Sequence, residues 1–197
     1  MTTGNVFTTL GKKAIMHRGF DAAPAYLTPG WFKVGTGTTG PVVADTAIQT
    51  PVTRCTGTND SISAYKLINS AATFQTSGVQ AGDHVRNTTD ATITTVVSVD
   101  SQTQLTLSAD IFLATSKTYY VDVTKVIMTA NPTYDDTNLI ITTRCMLLTT
   151  DCNGSSLTEF GLFNGDVTPR MFSHCVHAAI SKTLSIQVIY QEKDQVI

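Results

Sequence analysis

Charge is what this chain has least of. Charged residues make up 14% of its 197 positions, against roughly a quarter in an ordinary soluble domain. The formal net charge is -2 and the pI near 6.0, with no basic stripe, so nothing points to nucleic acid as a direct partner. The longest apolar runs fall far short of the ~20 residues a membrane helix needs. Met1-Thr2-Thr3-Gly4-Asn5 lacks a charged segment leading into an apolar one, so no secretory leader is expected there and synthesis in a cytoplasm follows. The four cysteines include no Cys-x-x-Cys pair, which argues for thiols over a disulfide framework or a zinc module. Gly-x-Ser-x-Gly is missing, and with it the usual nucleophile-elbow signal. The glycine-rich run Gly35-Thr36-Gly37-Thr38-Thr39-Gly40 lacks a following Lys-Ser/Thr and continues into Pro41-Val42-Val43. It fits a flexible turn better than a phosphate loop.

What the chain has is threonine and apolar residues, the latter at 42%. Threonine favours strands, and the combination predicts a mainly β protein whose polar surface is largely uncharged. Such surfaces suit a subunit packed among its own copies, because few charges must be desolvated. One helix is expected over residues 5–18, from Val6, Phe7, Leu10 and Ala14, capped by Thr3 or Asn5 and stopped at Gly19. Strands are expected at Trp31–Val34 and at Ala47–Cys55, the latter broken or pushed to an edge by Pro51. From about Tyr65 to Val123, short strands recur at intervals of roughly ten residues, a spacing typical of a small barrel or compact sheet. Residues 62–124 are therefore expected to form an inserted barrel-like module. It would divide a β-sandwich-like outer domain into segments 1–61 and 125–197. In the second segment Leu139–Leu148, apolar on both faces, is expected as a central strand. A last strand is expected at Leu184–Tyr190, followed by a polar, exposed arm.

The stretch Thr158-Glu159-Phe160-Gly161-Leu162-Phe163-Asn164 alternates like a strand with one buried face. Glu159 should then point away from Phe160, towards solvent or a partner. Gly161 suggests a bulge or a close approach, and Asn164-Gly165-Asp166 a closing turn. Together with Arg170, Phe172 and Lys182, this stretch resembles the C-terminal part of bacteriophage tail and tail-collar type virion proteins. Tyr26, Trp31-Phe32-Lys33-Val34-Gly35-Thr36-Gly37-Thr38-Thr39, Pro41, Asp45-Thr46 and Pro51 resemble the N-terminal half of the same kind of protein. The Gly82-Asp83-His84-Val85-Arg86-Asn87 turn of the insert resembles a module of other phage particle proteins. The resemblance implies a virion structural component of the tail, neck or baseplate, assembled in a host cytoplasm from copies of itself and other virion proteins. It implies no cofactor.

Candidate chemistry is sparse. In His174-Cys175-Val176-His177, strand alternation puts Cys175 and His177 on one side and His174 on the other. Even joined by Cys145 or Cys152, that set fits no known zinc spacing. Asp135 and Asp136 diverge as neighbours and suit a turn or an edge guard. No metal site, cofactor site or enzymatic activity is expected. Trp31, Phe32, Glu159, Phe163, Tyr119 and Tyr120 are the expected interface residues, with core burial the plainer role for the aromatic ones. The alternative function is a receptor- or glycan-binding module of a tail fibre or spike, presenting Tyr119-Tyr120 or Tyr134 to a host surface sugar.

Overall fold

Threonine-rich alternation becomes strand along most of the chain. The structure, a computed structural model, describes residues 3–20, 29–126, 132–138, 140–164 and 170–195. In chain order its elements are β1 (Thr3–Phe7), α1 (Thr9–Phe20), β2 (Pro29–Gly35), β3 (Thr53–Thr58), β4 (Lys66–Ile68), β5 (His84–Asn87), β6 (Thr92–Val99) and β7 (Gln104–Leu107). There follow β8 (Thr118–Asp122), β9 (Thr124–Val126), β10 (Thr133–Asp135), β11 (Ile140–Leu147), β12 (Ser156–Asn164), β13 (Met171–Ser181) and β14 (Val188–Gln195). Sheet I has the order β1-β13-β12-β2-β9, sheet II β10-β11-β14, and sheet III β3-β8-β5-β6-β7-β4. The protein is mainly β with one short helix, as expected.

Sheets I and II face each other across one core. Phe32, Val34, Phe160, Leu162 and Cys175 of sheet I meet Cys145, Leu147, Val188 and Tyr190 of sheet II, which makes the outer part sandwich-like. Sheet III curls as a half-barrel around its own core of Leu67, Phe74, Val85, Leu105, Phe112, Tyr119 and Val121. Strand β3, placed by the sequence in the first outer segment, is hydrogen-bonded to β8 within sheet III.

Several expectations shift. Val6 and Phe7 lie on β1, which pairs with β13, so the helix starts later than expected. Its cap is Thr8, whose Oγ1 accepts from the Gly11 amide at 3.0 Å, and Gly19 falls inside the helix. Two adjacent apolar residues satisfy a strand as well as a helical face, and here edge pairing wins. Residues 47–50 are not strand; Pro51 makes one isolated bridge to Gly35, and β3 begins at Thr53. Strand β11 is central in sheet II, but its buried positions alternate rather than covering both faces. The last strand begins at Val188, leaving Leu184 and Ile186 exposed. The expected polar arm is its second half, where Glu192 and Asp194 are buried. The turn expected at 164–166 lies partly outside the described residues.

Strand β12 is where the register becomes irregular. Between Leu157 and Glu159 the pairing with β13 slips, so Leu157 joins the same core as Phe160, three positions on. Thr158 turns the other way and donates from Oγ1 to the Gly37 carbonyl at 2.7 Å. Irregularities in the pairing with β13 thus fall at Leu157–Glu159 and again at Leu162–Phe163, on either side of Gly161. At Gly161 an added Cβ would lie 3.0 Å from the Met171 side chain and 3.1 Å from Ile48. The close approach there is by side chains.

Leu162→Ala should destabilise by about 2–5 kcal/mol, because the buried site cannot collapse around the lost atoms. Leu184→Ala, at a side chain 72% exposed, should change stability by no more than about 0.5 kcal/mol. Urea unfolding of both variants checks the pair.

Candidate functional site

A buried polar site lies on the face of sheet I opposite the sandwich core. Residues 36–50 cross that face as a strap without regular strand or helix. Its ends are tied by the Thr36 amide donating to the Thr50 carbonyl at 2.9 Å and by the Gly35–Pro51 bridge, the build of an Ω-loop. Asp45 turns the strap back on itself, accepting from the Val42 amide at 2.8 Å. The Thr9 amide at the start of α1 donates to the Val43 carbonyl at 2.6 Å.

Glu159 sits under this strap with no exposed surface. Alternation correctly sends it away from Phe160, but that face is covered by the strap, and Glu159 is buried within its own chain. Its Oε1 accepts from the amides of Gly37 at 2.9 Å and Thr50 at 2.8 Å. Its Oε2 takes the Gln49 amide at 3.2 Å and His174 Nε2 at 3.0 Å. The opposite ring nitrogen, Nδ1, meets Asp45 Oδ2 at 2.7 Å. With both carboxyl groups ionised each can only accept, so both ring nitrogens then carry hydrogen and His174 is an imidazolium. Burial pushes Glu159 up, but His174 and the strap amides outweigh it and hold the carboxyl below its ordinary value. Burial likewise pushes His174 down, and the bonds to Glu159 and Asp45 outweigh that and raise it.

An acid–imidazole–acid row invites comparison with a hydrolytic triad, and its chemistry argues otherwise. A general base needs a free ring nitrogen, and both are occupied. The nearest hydroxyl and thiol on β13, Ser173 and Cys175, face the Leu162 and Phe160 side by register. The row is a clamp that holds the strap on the sheet.

The other cysteine and histidine residues whose side chains are described do not assemble a metal centre. Cys175 and His177 do share a side, near Phe160, as alternation requires. Cys145, Cys152 and Cys175 lie in the same apolar core. Burial pushes the Cys152 and Cys175 thiols up to about 11, and Cys145 further, which disfavours the thiolate a metal would need. No cluster of metal-ligand side chains occurs among the described residues.

The expected interface residues scatter. Phe32, Phe163 and Tyr119 are buried within the chain's own cores, so they are not available as contact anchors. The Tyr119 hydroxyl is bonded to Asn69 at 2.8 Å. Trp31 is half-buried against His84, ring centroids 5.2 Å apart. Tyr120 is half-buried between the sheets. Tyr134 is exposed, and so are several apolar residues that sequence reading did not single out as surface, among them Ile189, Leu184, Val42, Val43 and Leu113. Ile189 borders an apolar cleft of about 290 Å³ with Phe160, His177, Ile180 and Tyr190. Only the start of β14 as an edge strand, hidden until the sheet order is known, could have flagged it.

Comparison with protein-family models, curated proteins and solved structures finds no match to this chain.

The clamp sets a pH window. Glu159, depressed in the folded state, contributes stability above its ordinary value of 4.5 that is lost as pH falls through the folded value. His174, raised, contributes fully below 6.5 and loses it as pH climbs through the folded value. The clamp should therefore stabilise most between about pH 4.5 and 6.5. His174→Gln should cost most in that window, about 3–5 kcal/mol for a broken buried ion pair, and the penalty should shrink on the alkaline side. Thermal melts of both proteins across pH measure this.

Proposed function

We propose that this chain is a non-enzymatic structural component of a bacteriophage particle, assembling in the tail, neck or baseplate region through β-rich contacts with its own copies and with other virion proteins. The observation that carries the reading is an apolar surface beside an open sheet edge. Strand β14 is an edge strand of sheet II, and the cleft of Phe160, His177, Ile180, Ile189 and Tyr190 opens beside it. Ile189 is 58% exposed there, and Leu184, Ile186 and Leu148 are exposed along the same stretch of chain or its paired strand. Apolar surface at an edge strand is what subunit contacts cover, since an edge offers backbone groups for pairing. Head-to-tail repetition of such a contact closes a ring.

A second support comes from the stretches that resemble virion proteins. Trp31–Gly35 and Glu159–Phe163 are paired neighbours in sheet I, with Trp31 opposite Phe163 and Phe32 opposite Leu162. The resembling residues thus form one structural unit. A glycan-binding role rests on less: Tyr119 is buried and Tyr120 half-buried, and Tyr134, 67% exposed on β10, is the most open aromatic of that reading.

Light scattering after size exclusion should give a discrete multimer whose population rises with concentration. Ile189→Asp should weaken self-association by roughly tenfold or more, as for a central interface anchor, without lowering the melting temperature. A chain monomeric at every concentration, failing to bind particle proteins but binding host polysaccharide, would overturn the assembly reading in favour of the glycan one.

A further inference from the structure

A separate feature lies where the strap, sheet I and sheet III meet. There a cavity of about 70 Å³ is lined by Lys33, Ile48, Arg86, Tyr120, Asp122 and Phe163, among others. A single water needs only ~10–15 Å³, so the space suits several waters or one compact ion. Its polar lining is only half satisfied. Lys33 Nζ donates to Asp122 Oδ2 at 2.7 Å, but Asp122 Oδ1, on a residue 3% exposed, has no hydrogen-bond partner. Arg86 Nε is sealed from solvent and also has none. Among the described residues no carboxylate forms an ion pair with Arg86.

Register explains why these atoms converge. On the β5–β8 ladder His84 stands opposite Asp122 and Arg86 opposite Tyr120. Arg86 and Asp122 are therefore diagonal neighbours on one sheet face, near enough for long side chains to share a ligand. Lys33 reaches them from β2 of the facing sheet. Arg86 and Tyr120 are half-buried, so the cavity meets the surface at their end. His84 adds no charge: burial, with Lys33 and Arg86 nearby, pushes its imidazole down to about 3.

The unsatisfied groups are one charged donor and one charged acceptor. Lys33, Arg86 and Asp122 together leave one excess positive charge. The complementary guest is a small anion that also carries a proton to give. We propose that this cavity binds a protonated oxyanion of the phosphate class, with an oxygen accepting from Arg86 Nε and a P–O–H donating to Asp122 Oδ1. The guest is inorganic phosphate or the terminal group of a small phosphomonoester. Neither the clamp nor the assembly reading requires this site.

The proton is the discriminating element. At neutral pH sulfate has the size and oxygens of phosphate but no hydrogen, so it would set an anionic oxygen against Asp122. Sites that bond a ligand O–H reject analogues lacking it strongly. Calorimetric titration of the full chain at pH 7 with inorganic phosphate should give a Kd below about 1 mM, with sulfate weaker by roughly tenfold or more. Arg86→Gln, which breaks no ion pair among the described residues, should remove phosphate binding while leaving the circular dichroism spectrum unchanged. Asp122→Asn presents an amide donor in place of the acceptor and should narrow or invert the phosphate–sulfate preference. Glycerol 3-phosphate identifies the source: binding as tight as inorganic phosphate means an ester enters, and its exclusion means the free ion is the guest. No heat with about 10 mM phosphate, or equal responses to phosphate and sulfate that persist in Arg86→Gln, would overturn the proposal and leave water as the occupant.

Discussion

The buried charge of Glu159 is the constraint on which the rest of the structure turns. An ion taken from water costs several kcal/mol unless its partners are excellent, and here strap amides and an imidazolium supply them. Each partner carries its own consequence. Gly37 must lack a side chain, because a Cβ there would stand 2.5 Å from Glu159 Oε1. His174 must stay protonated and therefore recruits Asp45. Asp45 folds the strap, and the strap in turn receives the first amide of α1 through Val43. One carboxylate in mid-strand thereby organises a loop with no hydrophobic periodicity of its own. Because both ring nitrogens of His174 are spent in this, the same arrangement rules out the base chemistry that its residue types suggest.

A second set of buried ions joins sheet III to the sandwich. Arg54 on β3 donates to Asp83 at 2.7 Å and to Asp151 at 2.9 Å, and Lys125 on β9 meets the other oxygen of Asp151 at 2.8 Å. Asp83 also accepts from the Thr124 amide at 3.2 Å. Burial raises Asp151, but Lys125, the Leu148 amide and Arg54 bring it below its ordinary value. Such networks contribute little net stability compared with apolar packing of the same volume. Their geometric demands are strict, though, so they favour one docking of the half-barrel over many. An apolar junction would have been stickier and less particular about angle.

Alternation made much of this legible before any coordinates, and its failures share a cause. Period two says which side of a strand a residue takes; it does not say what covers that side. Glu159 was correctly opposed to Phe160, and Cys175 to His174, yet the cover over Glu159 comes from a segment more than a hundred residues away. Thr158 was counted with Phe160 because a bulge leaves no trace in a polar-apolar pattern. On β14 the inward parity of Val188 and Tyr190 continues into Glu192 and Asp194, where hydrophobicity is silent. Val6 and Phe7 fit a helix or a strand equally until β13 is available to pair with. The aromatic residues expected at an interface, Phe32, Phe163 and Tyr119, fill cores because strand order places them there.

The low charge of the chain can now be placed. Several of its ions, among them Lys33, Arg54, Asp83, Asp122, Asp151, Glu159 and His174, are committed to the clamp and to the junctions between sheets. The outer surface keeps other charges, Asp60, Asp90, Asp100 and Lys193 among them, beside threonine, serine and apolar residues such as Ile189 and Val42. A charged surface would demand desolvation at every neighbour contact, whereas this one asks for little. Polar specificity is thus spent inward, fixing the relative placement of the parts, and the outward faces are left inexpensive to cover. That division is the one the proposed assembly would require, rigid inside and easily covered at its edges.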